Sequence, residues 1–198
     1  MWYYLLRWVE IPLFRLFFRL KISGLENIPQ KTNFIIVANH VSFLDPLVIM
    51  ASVPRKIYCI ALRDIYKFKW MHWFLRMTET VPSGSSSTLV VQLLDNNCNV
   101  GLFPEGGVSR DGKLKEFRRG AALLAFKTGR PVVPCAVLGT FEALPFGKRF
   151  PKPVRIKVNI GKPLYLLKEL DEVIDDVQLQ QGIMRIKAEV KKLIDYGI

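Results

Sequence analysis

The apolar run at residues 34–38 constrains the fold of this chain more than any other feature. It places five apolar residues in succession, three of them β-branched. Such a run is typical of a strand that is covered on both faces in a parallel sheet. Asn39 and His40 end the run, and α/β proteins place functional groups at that end of a strand. The run therefore predicts both a fold class and the position of a site.

His40 and Asp45 follow this run at a spacing of five positions. On one continuous helix the two side chains would lie roughly 140° apart around the axis and could not easily meet. If His40 lies in a turn and Ser42 starts the next helix, a hydrogen bond between the imidazole and the carboxylate becomes possible, and this pair would define a general base. Ser42 and Asp45 also fit a capping box that needs no catalysis, so the spacing alone leaves both interpretations open.

A second candidate element follows another short apolar run, residues 99–103. Two carboxylates, three glycines and two cations come next, within residues 104–113. Glycines let main-chain N–H groups approach an anion closely, and Arg110 or Lys113 can add charge-assisted hydrogen bonds to a phosphate. A glycine-rich turn of mixed charge is also common without a ligand, so this segment gains meaning only beside the first.

The two segments together resemble the membrane-bound glycerolipid acyltransferases, the family of the bacterial 1-acylglycerol-3-phosphate acyltransferase. The HxxxxD signature of that family matches His40 and Asp45. A Val-Pro block matches residues 133–134, and the resemblance spans roughly residues 24–140. The FPEG block, about 60 residues after the histidine, matches Phe103, Pro104, Glu105 and Gly106.

The resemblance implies transfer of a fatty acyl group from a thioester, acyl-CoA or acyl carrier protein, to the free hydroxyl of a lysophospholipid, with 1-acylglycerol 3-phosphate as the expected acceptor. Attack by an alcohol on a thioester needs proton removal during the step, which His40 would supply and Asp45 would orient. Ser42 fits a cap better than an acyl-enzyme nucleophile, and no G-x-S-x-G elbow occurs, which favours direct transfer. By resemblance, Glu105 and Gly106 would hold the glycerol-phosphate, with Arg110 nearby.

The chain departs from the family pattern in two places. Many members carry an arginine between the two main blocks, whereas residues 80–87 contain none, and the FPEG block continues with Gly-Val-Ser instead of Thr-Arg-Ser. Four other arginines could substitute, namely Arg63, Arg110, Arg118 and Arg119. The reaction type is unaffected, but glycerol 3-phosphate or another lysolipid stays open as the acceptor. A non-catalytic membrane-binding relative is the further alternative.

The N-terminal segment indicates where the protein works. Half of the residues are hydrophobic and the net charge is +12, so a polyanionic partner such as an anionic lipid surface is expected. The longest uncharged run in residues 1–20 is six residues, too short to span a bilayer. A helical wheel separates the four charged residues from an apolar face of Trp2, Leu5, Val9, Leu13, Leu16 and Leu20. We expect an interfacial helix; a helix packed on the protein's own core is the alternative.

Alternating elements predict an α/β fold with a mainly parallel sheet flanked by helices. Residues 1–23 are expected to form a membrane-anchoring helix, and residues 24–198 a single acyltransferase domain. Strands are predicted near residues 34–38, 56–61, 78–81, 99–103, 132–136 and 154–160. Helices are predicted near residues 45–53, 65–77, 86–97, 118–128 and 182–196. Residues 66–77, rich in aromatic and cationic side chains, form a second candidate for lipid contact.

The sequence also predicts which partners to exclude. Three scattered cysteines and two histidines argue against a metal site, and no nucleotide-binding glycine pattern is present, so no bound cofactor is expected beyond the acyl-carrying thioester. Nothing resembles a nucleic-acid module. These features predict a peripheral or monotopic protein on the cytoplasmic face of a membrane.

Overall fold

A computed structural model describes residues 2–67, 72, 75–83, 87–166 and 174–196 of the chain. The described strands form one seven-stranded sheet with the order β1-β7-β6-β2-β5-β3-β4. The strands are β1 (Lys21–Ser23), β2 (Ile35–Ala38), β3 (Ile57–Ala61), β4 (Val81–Pro82), β5 (Asn99–Leu102), β6 (Val132–Leu138) and β7 (Lys157–Ile160). The main helices are α1 (Trp2–Phe17), α2 (Asp45–Ser52), α3 (Ser87–Asp95), α4 (Gly120–Thr128), α5 (Thr140–Ala143) and α6 (Asp176–Asp195).

The five strands β6, β2, β5, β3 and β4 run parallel to one another. β7 is antiparallel to β6 and parallel to β1. Parallel strands end at the same edge of the sheet, so the segments that follow β2, β5, β3 and β6 all lie there. The predicted fold class, a mainly parallel sheet flanked by helices, is confirmed.

The central strand β2 is buried on both faces, as the apolar run predicts. Ile36 and Ala38 pack with α1 and α2 on one side of the sheet. Ile35 and Val37 pack with α3, α4 and α6 on the other side. Side chains of a strand point alternately to opposite faces, so a strand between two helical layers must be apolar at every position. This double layer leaves only the strand ends open to solvent.

The observed boundaries differ from the predicted ones mainly at short elements. The segment predicted as a strand at residues 154–160 joins the sheet only from Lys157 onward. The last helix begins at Asp176, earlier than predicted, because Asp175 and Gln178 form a capping box there. The strand predicted at 78–81 overlaps β4 (Val81–Pro82) only at Val81, because the preceding residues form a turn in which the N–H of Thr80 donates to the carbonyl of Leu75. β1, at the end of the segment predicted as helix, and α5 were not predicted, and they are only three and four residues long.

Two predicted segments fall partly outside the described residues. In the predicted helix 65–77, which includes the aromatic segment 66–77, a 3-10 helix covers Arg63–Lys67 and residues 75–77 are helical, while residues 68–71, 73 and 74 lie outside the description. In the serine run, α3 begins at Ser87, and residues 84–86 lie outside the described residues.

The helix α1 packs against the domain with one side and exposes apolar residues on the other. Tyr3, Phe14 and Phe18 are buried, and the Tyr3 hydroxyl accepts a hydrogen bond from the main-chain N–H of Ile57 at 3.1 Å. Two of the four charged residues also face the domain: Glu10 is buried, and Arg7 donates to the carbonyl of Pro54 at 2.9 Å. The outward apolar residues are Tyr4, Leu5, Trp8, Val9, Leu13, Leu16 and Phe17.

The extent of that exposure is large. Trp8 is 78% exposed and Leu16 is 81% exposed. The helix ends at Phe17, and the last residues of segment 1–23 form β1, which pairs with β7. Within the described residues, no helix combines the length and the apolarity needed to cross a bilayer.

Candidate active site

Asn39 determines where β2 ends and the site begins. Its side-chain amide donates to the carbonyl of Val137 at 2.9 Å, and its side-chain oxygen accepts the N–H of Val137 at 2.8 Å. The side-chain amide thus makes the two hydrogen bonds to β6 that the main chain of β2 would otherwise make. The chain is therefore free to turn immediately after Asn39, and His40 emerges at the sheet edge.

His40 and Asp45 form a hydrogen bond. The Nδ1 of His40 lies 3.0 Å from Oδ2 of Asp45, and the Asp45 side chain is fully buried. A carboxylate can only accept, so Nδ1 carries the proton and Nε2 is left as the basic nitrogen of the ring. The His40 side chain is 15% exposed. The ring is thus anchored from below and reachable from the edge of the sheet.

The same carboxylate oxygen organises the turn. Oδ2 of Asp45 accepts the N–H groups of Val41 at 2.7 Å and Ser42 at 2.8 Å. Asp45 is the first residue of α2, so the turn interpretation of the sequence holds and the helical one does not. The predicted capping box is only half formed: Asp45 accepts the N–H of Ser42, but the N-cap of α2 is Leu44, which makes no side-chain cap hydrogen bond. The N–H of Asp45 bonds to the main-chain carbonyl of Ser42 and not to its hydroxyl.

The hydroxyl of Ser42 is engaged elsewhere. It donates to the carbonyl of Leu144 at 2.8 Å and accepts the N–H of Leu44 at 3.2 Å. Its proton is therefore bonded to Leu144 and not to His40, so Ser42 is not placed as a nucleophile. The expected role as a helix cap is wrong, because the N-cap of α2 is Leu44 and the Ser42 hydroxyl instead links the turn to the segment after α5.

The FPEG block meets His40 because β5 is the neighbour of β2. Phe103, directly after β5, stacks on the His40 ring with centroids 4.3 Å apart and planes inclined by 27°. Pro104 is buried, and its carbonyl accepts the N–H of Arg118 at 2.9 Å. Phe103 thus covers one face of the imidazole ring, and Pro104 holds the main chain of Arg118 just before α4.

Glu105 binds main-chain groups. Its Oε1 accepts the N–H of His40 at 2.7 Å and its Oε2 accepts the N–H of Lys115 at 3.1 Å. The side chain is only 4% exposed, and burial raises its pKa, while the two N–H donors oppose that effect. From the resemblance, this carboxylate was expected to bind the acceptor. In the structure, both of its oxygens bind main-chain N–H groups of the protein itself.

Gly106 and Arg118 lie in direct contact. A Cβ built on Gly106 would lie 2.4 Å from both Cζ and Nε of Arg118, so the guanidinium occupies the space that a side chain would need. Gly106 also has a φ of +70°, which favours glycine. The positive φ favours glycine, and any larger residue would displace the exposed Arg118 side chain from the FPEG block.

The loop that follows closes over the histidine main chain. The N–H of Ser109 donates to the carbonyl of His40 at 2.7 Å. The Ser109 hydroxyl donates to Oδ1 of Asp111 at 2.8 Å, and Asp111 also accepts the N–H of Lys113, so its pKa lies below its usual range. The loop is thus an internally bonded turn.

The remaining predicted arginines lie at different places on the sheet edge. The guanidinium of Arg110 lies 5.1 Å from the centroid of Phe146, which stacks on Phe43 with centroids 5.9 Å apart. Phe43 follows His40 by three residues, so Arg110 lies beside the mouth of the site. Arg63 begins the 3-10 helix after β3, with β5 between β3 and β2. Arg63 therefore lies at the same edge of the sheet as His40, but at the end of β3 and not of β2.

Sequence reasoning missed Asn39, Ser109 and Phe146. Asn39 and Ser109 act through main-chain hydrogen bonds, which leave no side-chain spacing to detect. Phe146 lies in a link between strands and reaches the site only through tertiary packing. Among the described residues, no group of three or more His, Cys, Asp or Glu side chains could hold a metal ion.

Comparison with known proteins shows which chains share this arrangement. The model of the Acyltransferase family matches residues 19–138. A chloroplastic 1-acyl-sn-glycerol-3-phosphate acyltransferase of Brassica napus is 32% identical over 168 residues, covering 80% of this chain and 48% of the relative. The 1-acyl-sn-glycerol-3-phosphate acyltransferase of Bacillus subtilis is 28% identical over 152 residues, covering 73% of each. The chain spans about half the length of its chloroplastic relatives.

A solved structure resembles the whole fold. The crystal structure of the 1-acyl-sn-glycerophosphate acyltransferase PlsC from Thermotoga maritima aligns with a TM-score of 0.77 at 28% identity. The alignment covers 96% of this chain and 79% of that chain. The similarity therefore extends beyond the matched family segment to the N-terminal helix and the last strand and helix.

Proposed function

Since the chain belongs to the Acyltransferase family, we propose that it transfers a fatty acyl group from an acyl thioester to the free hydroxyl of a lysophospholipid, with 1-acylglycerol 3-phosphate as acceptor and phosphatidate as product. The observation that carries the proposal is the His40–Asp45 pair at the open edge of the sheet. The names of the relatives, all 1-acyl-sn-glycerol-3-phosphate acyltransferases, favour this acceptor.

In the proposed step the acceptor hydroxyl donates its proton to Nε2 of His40 while its oxygen attacks the thioester carbonyl carbon. The carbon–sulfur bond then breaks, and the imidazolium returns the proton to the leaving thiolate. Asp45 holds the tautomer that can accept a proton and stabilises the imidazolium. A positioned histidine of this kind contributes about 10²–10⁴-fold to a rate. The engaged Ser42 hydroxyl supports direct transfer without an acyl-enzyme.

The acceptor phosphate is proposed to bind Arg118, with Arg110 beside it. Arg118 contacts Gly106 next to the histidine, and Arg110 lies over Phe146 at the mouth. Both are exposed cations, and a guanidinium presents a planar fork that matches phosphate oxygens. These two arginines would replace the phosphate contact that the family pattern places within residues 80–87. Arg63, on the strand end beyond β5, is the more distant candidate.

The protein is proposed to bind the membrane through α1. Its outward residues include Trp8 and Leu16, and Arg15 and Arg19 are exposed near its end. A helix that packs on its own domain with one side and presents aromatic and aliphatic residues on the other is suited to the headgroup region of a bilayer. The protein is therefore proposed to bind peripherally or monotopically, at the cytoplasmic face, where the acyl donor is CoA or acyl carrier protein.

The test is acyl transfer by the purified protein in mixed micelles. Labelled palmitoyl-CoA, or palmitoyl carrier protein, is offered with lysophosphatidate, glycerol 3-phosphate or a zwitterionic lysolipid, and His40→Ala is the matched variant. Acylation of lysophosphatidate that the variant lacks supports the proposal. Acylation of another acceptor alone would be consistent with the His40 mechanism but would assign a different acceptor to the protein. Transfer to none, from either donor, would indicate a non-catalytic relative.

A second variant pair tests the arginine assignment. Arg118→Gln should raise KM for lysophosphatidate about tenfold, since it removes one charge-assisted contact to the phosphate. The neighbouring Arg119→Gln, on an exposed side chain at the start of α4, should leave KM unchanged. Equal effects in both variants would argue against a specific contact by Arg118.

A further inference from the structure

The link between β6 and β7 contains a segment that the proposed reaction does not use. Residues 145–155, here called the basic arm, hold four cations and no acidic residue. Almost all of its residues are exposed. Two phenylalanines are among them, Phe146 at 44% and Phe150 at 86% exposure. Single exposed apolar residues are ordinary, but two aromatic rings among four cations in one short segment form a patch that needs a partner.

The basic arm lies at the same sheet edge as His40. β6 ends at Leu138 and β7 begins at Lys157, and these two residues are partners in the antiparallel ladder. β6 runs parallel to β2, so the link leaves and re-enters the sheet at the edge where β2 ends. Phe146 contributes to the rim of the site through its stacking on Phe43. The arm is thus a neighbour of the reacting groups.

Hydrogen bonds fix the arm at both ends. At its start, the carbonyl of Leu144 accepts the Ser42 hydroxyl at 2.8 Å. Within it, the N–H of Lys152 donates to the carbonyl of Ala143 at 2.7 Å. At its end, the N–H of Ile156 donates to the carbonyl of Phe18 at 3.0 Å. The arm therefore holds a defined position between the active-site turn and the end of α1.

The end of the arm is joined to the chain that follows α1. The last turn of α1 exposes Leu16 and Phe17, and Arg15 and Arg19 are exposed beside them. The chain then enters β1, whose first residue, Lys21, donates its N–H to the carbonyl of Ile156. The end of the proposed membrane helix and the end of the arm are thus joined by main-chain hydrogen bonds in both directions.

We propose that the basic arm is a second membrane-contact element, specific for anionic lipid. Phe150 and Phe146 enter the headgroup region, and the cations Lys148, Arg149, Lys152 and Arg155 bind lipid phosphates. An acidic carrier protein would satisfy the cations but would leave the two aromatic rings unexplained. The inference rests on the proposed function in one respect: both assume that the protein works on lipid at a membrane.

The arm adds what α1 alone does not supply, which is orientation. A single interfacial helix lets the domain rotate about the helix axis, whereas two contacts joined at an angle define a plane. Because the arm lies at the sheet edge with His40, the second contact would hold that edge toward the bilayer. A lysophospholipid leaving the bilayer would then meet the general base directly. The arm should therefore matter for acceptors held in a bilayer and not for monomeric ones.

The experiment measures vesicle binding and activity of the full chain. The charge variant is Lys148→Gln with Arg149→Gln and Lys152→Gln, and the matched control is Lys31→Gln with Lys127→Gln and Arg185→Gln, three exposed cations elsewhere on the domain. The aromatic variant is Phe150→Ser, matched by Met184→Ser at an exposed position of α6. Thermal unfolding establishes that each variant is folded.

The expected result is specific for anionic lipid. Each cation near an anionic surface contributes about fivefold to affinity, so the charge variant should bind phosphatidylcholine vesicles containing phosphatidylglycerol about 10²-fold more weakly, while its control loses much less. Phe150→Ser should weaken binding where Met184→Ser does not. Activity on lysophosphatidate in these vesicles should fall in parallel, and activity on a short-chain monomeric lysophosphatidate should persist.

Two outcomes would overturn the inference. Equal binding by the charge variant and its control would show that the arm is not a lipid contact. Unchanged vesicle binding with a raised KM for palmitoyl carrier protein alone would reassign the arm to the carrier protein. Failure of the proposed function looks different, because the wild-type protein would then transfer no acyl group while the arm variants could still lose vesicle binding.

Discussion

The main-chain N–H of His40 donates to Oε1 of Glu105 at 2.7 Å, although the two residues are 65 positions apart in the chain. The glutamate of the FPEG block therefore holds the main chain of the general base. Its other oxygen holds the N–H of Lys115, at the far end of the loop that closes over the site. The two sequence blocks meet because their strands, β2 and β5, are neighbours in the sheet.

Glu105→Gln should lower kcat by about ten- to a hundredfold, because a positional error of the base has effects of this order. The glutamine oxygen can accept only one of the two N–H groups, and its NH₂ group faces the other. Glu105→Ala should in addition lower the free energy of unfolding by about 2–4 kcal/mol, since it leaves two N–H donors without acceptors. Steady-state kinetics and urea unfolding measure these effects. A raised KM with unchanged kcat in Glu105→Gln would instead favour direct contact with the acceptor.

Asp45→Asn should lower kcat by about 10²–10⁴-fold with KM little changed. The amide oxygen would take the place of Oδ2, because the N–H groups of Val41 and Ser42 need an acceptor there. It would still accept the Nδ1 proton of His40, but a neutral amide does not stabilise the imidazolium that forms when Nε2 accepts a proton. Asp45→Ala should also destabilise the protein by about 2 kcal/mol or more, because the N–H groups of Val41 and Ser42 lose their acceptor. Kinetics on folded protein checks the first effect. Near wild-type turnover in Asp45→Asn would contradict the assigned role.

Gly106→Ala should displace Arg118 and raise KM for a phosphate-bearing acceptor about tenfold. The new methyl group would clash with the guanidinium, and the backbone at φ +70° would be strained by about 1–2 kcal/mol. Gly129→Ala is the matched control, since Gly129 has a φ of +63° and no atom within 4 Å of the added Cβ. Both variants should lose similar stability, but only Gly106→Ala should change KM. Equal KM values would mean that Arg118 does not bind the phosphate.

Glu10 should make stability depend on pH. Its carboxylate is buried without a hydrogen-bond partner among the described residues, and burial raises its pKa from 4.5 to about 7, although Arg7 lowers it. Between those pH values the unfolded chain releases the proton while the folded protein retains it. The contribution of Glu10 to the free energy of unfolding should therefore fall by about 3 kcal/mol as pH rises through this interval.

Glu10→Gln provides the comparison for that effect, because it keeps the shape and cannot ionise. Urea unfolding measures the free energy of unfolding of the wild type and of Glu10→Gln. The two values should be most similar at pH 5, and the variant should be the more stable protein at pH 8. A difference that is the same at both pH values would indicate that the carboxylate is ionised in the folded protein throughout.

The features that can be predicted from the sequence are those in which side chains contact other side chains. A strand buried on both faces must be apolar throughout, so residues 34–38 predict β2. A turn that brings an imidazole back to a helical carboxylate has a fixed spacing, so His40 and Asp45 predict a pair. The acceptor and donor identities and the residue-by-residue roles at the phosphate site stay predictions.

The rest could not be predicted because the partners are main-chain groups or distant segments. Glu105 and Asn39 satisfy N–H and carbonyl groups that exist in every residue, so no spacing reveals them. β1 and α5 are three and four residues long, too short for a hydrophobic pattern to repeat. The sequence shows the apolar face of α1, but it does not show that Glu10, on the charged side, is buried against the domain while Arg15 and Arg19 stay exposed.

The main chain of His40 is bonded in both directions, with its N–H on Glu105 and its carbonyl on the N–H of Ser109. Hydrogen–deuterium exchange should therefore find the amides of His40 and Ser109 as slow as those of β2 and β5, although both lie in connecting segments. The two segments would open together or not at all. The general base would then keep one position through successive turnovers, and the movement that admits and releases lipid would belong to the surrounding membrane and the substrate.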